Sequence, residues 1–437
     1  MIAEPLVFAA IADVAGRLRG KAFPAAQLDR RLETGIGWTP TNVQITCFDV
    51  IAPSPYGALG DLVIMPDPEA RATVDFADGA PPLDVMLGAI RTLAGDPWEC
   101  CTRHVLGQAL ERLRRVAGLT LKGAFEHEFQ LVGQAAQTGW AYSYAGFAAQ
   151  APLLGAVIAA LRAAGLGPDS IMKEYGGNQY EVTIAPETGL RIADAAAFTR
   201  LLVQEVARRT GERATFTPIL DPAGVGNGVH VHLSFLDAEG RPATWDANGP
   251  CGMSRATGSF IAGVLRHLPS IVAVTAPTAI SYLRLTPHRW SAAFTNLGFR
   301  DREAAVRICP TSGASPEAVA RSFNFEVRAA DAAASPHLAL AAIVHAGVQG
   351  IEDDLPAPIA TEEDLAALSD RDLVARGCTR LPDSLEAALE RFEADTTVRG
   401  WFPARFPEIY LAHKRAEVAI VADMDIPTRC AAYADVF

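Results

Sequence analysis

Between residues 102 and 117 the apolar side chains Val105, Leu106, Leu110, Leu113 and Val116 recur at helical spacing, with Arg and Glu on the other side. That period predicts an amphipathic helix. Residues 151–164, 194–209, 384–395 and 409–422 also read as helices. Shorter runs rich in β-formers, 43–51 and 61–65, lie between Gly/Pro turns and predict strands, preceded by a short helix near the amino terminus. The Gly95-Asp96-Pro97 turn marks a change of pattern, which predicts a small α+β unit over residues 1–98 and a larger one over 99–437.

Four runs in the larger unit alternate strictly. Phe125, Phe129 and Leu131 oppose Glu126, Glu128 and Gln130; Tyr180, Val182 and Ile184 oppose Glu181 and Thr183, with Glu174 just upstream across Gly176-Gly177. Val229, Val231, Leu233 and Phe235 oppose His230, His232 and Ser234, and Phe323, Phe325 and Val327 oppose Asn324, Glu326 and Arg328. A strand whose side chains alternate in this way has one dry and one wet face. One wet strand signifies solvent; four that collect glutamates and histidines without lysine signify more. Carboxylates on neighbouring strands would stand about 5 Å apart and repel, so this face asks for a cation. Oxygen-rich ligation with an imidazole suits Mg²⁺ or Mn²⁺ better than zinc.

Arg284, Arg302, Arg307 and Arg328 follow downstream as guanidinium groups able to meet phosphate or carboxylate oxygens in pairs. Metals with arginines suggest phosphoryl transfer. Composition narrows the class further: the 437 residues are half hydrophobic with a net charge of −12 and no Lys/Arg-rich block, which argues against nucleic acid and anionic lipid as partners. The seven cysteines are scattered without metal-ligand spacing and read as reduced thiols. No secretory signal is evident, and the apolar stretch 151–167 is cut by Arg162 and too short for a membrane span, so a cytoplasmic location is expected.

These residues resemble the glutamine synthetase family. The ordered motifs are DVAGRLRGK (13–21), GDLVIMPD (60–67), EHEF (126–129), KEYGGNQYE (173–181), GNGVHVHLSF (226–235), TAPTAISYLRL (275–285), DREAAVRI (301–308) and FEVRAADAAASPHLALAA (325–342). The resemblance implies an α+β chain: a small amino-terminal β-grasp domain and a catalytic domain with a curved antiparallel sheet flanked by helices. It also implies active sites between the subunits of a stacked-ring dodecamer, using ATP and two or more Mg²⁺ or Mn²⁺ ions. Matched motif by motif, Glu128, Glu174 and Glu181 would hold the metal nearer the amino acid, and Glu126, His230 and Glu326 the metal on the ATP phosphates. Arg302 and Arg307 would contact phosphate, with Arg302 and Arg284 catalytic. Ser234 and His232 would lie on the nucleotide side, Arg284 and Arg328 would hold glutamate, and Gly226 would line the substrate.

Two departures bear on the acceptor. Family members that use ammonia carry a flap glutamate, where this chain has LTPHRWSAA with Trp290 at or near that position and no acid. The family's aspartate-bearing loop is replaced by GIGWTPTNVQ (35–44). Ammonium held without nearby anions would lose its main attraction, whereas an organic amine can gain from aromatic contact such as Trp290 and Trp38. The expected activity is therefore joining glutamate to a small organic amine, as in γ-glutamylpolyamine or γ-glutamylmonoamine synthetases. The alternatives are ammonia-using glutamine synthetase and a non-catalytic ring-forming scaffold.

Overall fold

In the computed structural model, which describes residues 4–134, 137–311 and 313–437, the chain builds two sheets. The first holds β1 (Leu6–Ala12), β2 (Leu18–Pro24), β3 (Ile36–Trp38), β4 (Leu62–Val74) and β5 (Leu83–Thr92) in the order β2-β1-β5-β4-β3. Strand β1 runs parallel to β5 and forms a hairpin with β2. The expected short helix ahead of the later strands is Leu28–Thr34, but two strands come before it. In β1 the run LVFAAIA is buried on both faces over most of its length, which erases the two-residue alternation that distinguishes a strand from a helix. Segment 43–51 is also not a strand: Pro40–Gln44 is a 3₁₀ helix, and Ile45 and Ile51 meet in a single bridge.

The β1–β2 turn joins the two parts of the molecule. Asp13 accepts the backbone N–H of Arg17 at 2.8 Å and pairs with Arg19 Nε at 2.8 Å. Burial of Asp13 lifts its carboxyl to about 6 despite that arginine. Gly16 takes φ +71°, and a Cβ there would stand 2.3 Å from the carbonyl oxygen of Ala333. Only glycine lets this turn lie so close to the second part.

The second sheet is built on β6 (Thr120–Val132), β7 (Pro168–Lys173), β8 (Gln179–Ile184), β9 (Glu187–Thr188), β10 (Arg213–Thr215), β11 (Val229–Leu236), β12 (Leu297–Gly298), β13 (Val306–Ile308), β14 (Phe325–Val327) and β15 (Ala360–Thr361). Its order is β15-β12-β13-β14-β11-β6-β8-β7, with β9 and β10 also on β6. From β13 to β7 the pairing is antiparallel, but β12 runs parallel to both β13 and β15, so the sheet is mixed rather than wholly antiparallel. The helices Thr102–Ala117, Ala151–Ala163, Arg191–Arg209, Leu385–Ala394 and Phe406–Val421 match the helical periods read from the sequence to within a few residues.

The dry face behaves as the alternation requires. Phe125, Phe129, Tyr180, Val182, Val231, Leu233, Phe235, Phe325 and Val327 are all buried. His127 belongs to this face, between the rings of Phe125 and Phe216, and burial lowers its pKa to about 3, so it is a neutral core residue. Among the described residues one helix, Arg255–Thr275, is long and apolar enough to cross a membrane. It is instead a core helix: 78% of its most apolar window is buried inside the protein.

Candidate active site

Strand register decides which polar side chains meet. On the wet face Glu126 lies opposite His230, Glu128 opposite Glu181, and Glu326 opposite both His232 and Arg307. Directly opposed residues share a face, so five short strands deliver acids, imidazoles and a guanidinium to one surface. Two groups of possible metal ligands result, Glu128/Glu174/Glu181 and Glu126/Glu181/His230, each with ligand atoms within 4.8 Å of one another. Glu181 belongs to both.

Local structure holds these acids in place. Glu128 accepts the N–H of Gly228 at 2.6 Å. Glu174 accepts the N–H of Tyr175 at 2.7 Å, and the turn that carries it is tied down by buried Lys173, whose Nζ donates to the carbonyls of Glu174 and Gly176 at 2.6 and 2.5 Å. A Cβ at Gly228 would stand 3.1 Å from Arg284 Nη1, 3.5 Å from Glu128 and 3.6 Å from His230, so glycine leaves open a space lined by acid, imidazole and guanidinium. At Gly226 a Cβ would lie 2.6 Å from the Arg284 side chain.

The electrostatics are those of a crowded acid site. Burial, then repulsion from Glu126, Glu128 and Glu174, drives Glu181 up to about 10. Burial raises Glu128 as well. Glu126 goes the other way: against the desolvation of burial, hydrogen bonds from His230, at 2.6 Å, and from His232 hold it below the usual carboxylate range. An oxygen-rich set with one imidazole, short of positive charge, fits a hard divalent cation of the Mg²⁺ or Mn²⁺ type.

Glu326 stands apart from the partners expected for it. Its Oε1 accepts from Arg307 at 3.1 Å and Arg328 at 2.6 Å, while Oε2 lies 3.2 Å from His232 Nε2. Both guanidinium groups bond Oε1, and the carboxylate groups by distance with His232 and Cys309 rather than with Glu126 and His230. His232 sits between Glu326 and Glu126, 3.6 Å from the latter. Beside it a cavity of about 310 Å³ is lined by His232, Ser234, Lys122, Phe323, Asn324 and Arg321. Ser234 Oγ donates to the Lys122 carbonyl at 3.4 Å.

The arginines divide. Arg284 is buried and donates to Ser291 Oγ at 2.9 Å and the Ala330 carbonyl at 2.5 Å. The Nε atoms of Arg284, Arg307 and Arg328 are buried without partners among the described residues, unspent donors beside the acids. Arg302 is exposed on the loop between β12 and β13, and the structure does not bring it into this network.

Sequence reasoning missed the surroundings of the 286–292 loop. Trp290 is 64% exposed at φ +55°, and its carbonyl accepts from Arg328 at 3.3 Å. The loop has no acid of its own, but Glu303 reaches it from the next loop, accepting the N–H of Trp290 at 2.8 Å and of His288 at 3.0 Å. Asp301, Glu303, Glu362, Glu363 and Asp364 line a cavity of about 650 Å³ beside Trp290. The expected absence of acids is therefore corrected: they arrive from elsewhere in the chain. Trp38 is buried in the first sheet rather than facing an acceptor. Tyr142, also unanticipated, stands near Glu174, and burial followed by that carboxylate raises its pKa to about 12.

Comparison with known proteins places both parts of the chain in one family. Residues 4–98 match the family described as glutamine synthetase N-terminal domain, and residues 99–431 the glutamine synthetase catalytic domain. The chain is 32% identical to the γ-glutamylpolyamine synthetase GlnA3 of Streptomyces coelicolor, over 98% of this chain and 92% of that protein. A solved structure described as a novel glutamine synthase homolog superposes with a TM-score of 0.92 at 39% identity, covering 100% of this chain and 99% of the other. A GmaS/ADP complex superposes with a TM-score of 0.82 at 25% identity, covering 99% and 97%. With both of its parts matched and its strands delivering the acids to one face, the chain belongs to the glutamine synthetase family of ligases.

Proposed function

We propose that this protein is an ATP-dependent ligase that joins the side-chain carboxyl of glutamate to an organic amine. The observation that carries the proposal is Arg328, which bonds Glu326 with one Nη and the carbonyl of Trp290 with the other. It thereby ties the acid site to a loop that presents the exposed indole of Trp290, with the Glu303 carboxylate bound to its backbone. The likeness to a γ-glutamylpolyamine synthetase over nearly the whole chain supports the same reading.

Glu128, Glu174 and Glu181 would hold one divalent cation, and Glu126 and His230, sharing Glu181, a second, with Glu326 kept by its guanidinium partners; bound there, such ions supply charge neutralisation for phosphoryl transfer. Arg284, with its spare buried donor, holds the amino acid together with Arg328 and the backbone of Gly226. Arg307, with its spare buried donor, neutralises the transferring group, Arg302 staying outside the network, and His232 and Ser234 border the nucleotide cavity. The glutamate carboxylate oxygen bonds to the γ-phosphorus as the bond to ADP breaks, giving γ-glutamyl phosphate. The amine nitrogen then bonds to the activated carbonyl carbon, losing a proton as phosphate departs. The protein's part is to position the reactants and to present preorganised charge. A ring of subunits, with residues 35–44 of a neighbour closing the acceptor side, belongs to the same proposal.

The test is phosphate release from Mg-ATP and glutamate with ammonium, monoamines and polyamines in parallel, with mass spectrometry of the product. An organic amine is expected to drive the fastest release and to yield a γ-glutamylamide. Fastest release with ammonium would make the protein a glutamine synthetase instead. No turnover with any amine, despite bound nucleotide, would make it a scaffold.

A further inference from the structure

Cys309 follows β13 and donates its N–H to the Asn324 carbonyl beside β14, which separates it from β11, the strand of His232. Its Sγ lies 3.5 Å from His232 Nδ1. One donor atom each from Cys309, His232 and Glu326 fall within 4.8 Å of one another. A zinc ion with bonds of about 2.3 Å to sulfur and about 2.05 Å to nitrogen at the tetrahedral angle needs a sulfur–nitrogen edge of about 3.6 Å, so that edge is already in place. Glu326 commits Oε1 to Arg307 and Arg328, and its Oε2 stands 3.2 Å from the other ring nitrogen, Nε2, so a turn of the imidazole or the carboxylate is needed to bring it onto the ion that Sγ and Nδ1 would share. Asn324 Oδ1, 3.0 Å from the same Nδ1, offers a further oxygen. His232 Nε2 is buried without a hydrogen-bond partner among the described residues, while Nδ1 faces Asn324 Oδ1 and Cys309 Sγ.

We propose that Cys309, His232 and Glu326 form a binding site for a thiophilic divalent cation such as Zn²⁺, distinct from the oxygen-rich groups that suit Mg²⁺. Thiolate with imidazole selects zinc or cobalt over magnesium, which prefers six oxygens. Coordination releases the thiol proton to solvent, and water from the adjacent cavity completes the shell. Because His232 and Glu326 border the proposed nucleotide and metal sites, occupation would block ATP turnover. That consequence rests on the ligase proposal; the metal site does not.

Cobalt titrated into the purified full-length chain without nucleotide is expected to give a near-ultraviolet thiolate–cobalt charge-transfer band that zinc abolishes and excess Mg²⁺ leaves intact. Cys309→Ser is expected to remove the band and weaken zinc binding by more than about tenfold. In the unmodified protein, zinc but not Mg²⁺ should slow alkylation of Cys309, read by peptide mass spectrometry, which needs no variant to fold. A band that survives Cys309→Ser, or alkylation of Cys309 indifferent to zinc, would overturn the site. In a separate arm, zinc is expected to inhibit phosphate release in the wild type and much less in Cys309→Ser. Intact binding with no inhibition would count against placing His232 and Glu326 at the nucleotide, leaving the metal site standing.

Discussion

Glu181 is the carboxylate shared by both acidic groups, and replacing it by glutamine should move stability and metal binding in opposite directions. Ligand atoms within 4.8 Å imply, at an effective dielectric of about 20, a repulsion of about 3–4 kcal/mol between two full charges. The metal-free protein escapes this by keeping Glu181 protonated, with its pKa raised from 4.5 to about 10. A carboxyl whose folded pKa lies above its unfolded value carries no penalty below pH 4.5, and the penalty grows as pH rises towards the folded value. Each pH unit in that window costs up to about 1.4 kcal/mol, and glutamine feels none of it. In chelator, Glu181→Gln should therefore equal the wild type at about pH 4.5 and exceed it by a few kcal/mol at about pH 8, measured by urea unfolding. With saturating Mn²⁺ the order should reverse, because the wild type gains a charged ligand that the variant lacks. A variant less stable than wild type at both pH values in chelator, or one stabilised equally by Mn²⁺, would refute the role of repulsion and of metal at this site.

Arg328→Ala leaves buried Glu326 with one guanidinium partner fewer; it should cost about 3–5 kcal/mol in unfolding experiments and depress glutamate-dependent phosphate release at all amine concentrations. Lys173→Met removes the clamp on the Glu174 turn, so the Mn²⁺-induced shift of the melting temperature should shrink, with little change if the lysine merely packs on Tyr180. Gly16→Ala places a Cβ against the Ala333 carbonyl at positive φ and should destabilise the chain by at least about 2 kcal/mol by urea titration. Trp290→Glu should raise the use of ammonium relative to organic amines in competition assays read by product mass spectrometry; an unchanged ratio would detach this position from acceptor choice.

The chain announces in one dimension whatever a repeating period encodes. Alternation in 123–132, 178–184 and 228–235 marks wet and dry faces because successive side chains of a strand must point apart, so Glu126, Glu128, Glu181 and His230 are legible as a group from sequence alone. Helical periods likewise locate the helices Thr102–Ala117 and Arg191–Arg209 closely. Strand β1 escapes because a run dry on both faces has no period to read, and the parallel seam at β12 escapes because strand direction is set by crossovers rather than by the strands themselves. The finer partners of the site, apart from Arg328 two residues along from Glu326, lie beyond any local signal: Glu326 meets Arg307 and His232 through register, Glu303 meets Trp290 through a loop, and Cys309 finds His232 across 77 positions of chain. Patterns along a chain record which way a side chain faces. Which groups stand opposite one another is decided only when strands choose neighbours and register, since a slip of one residue would turn each of these side chains to the other face.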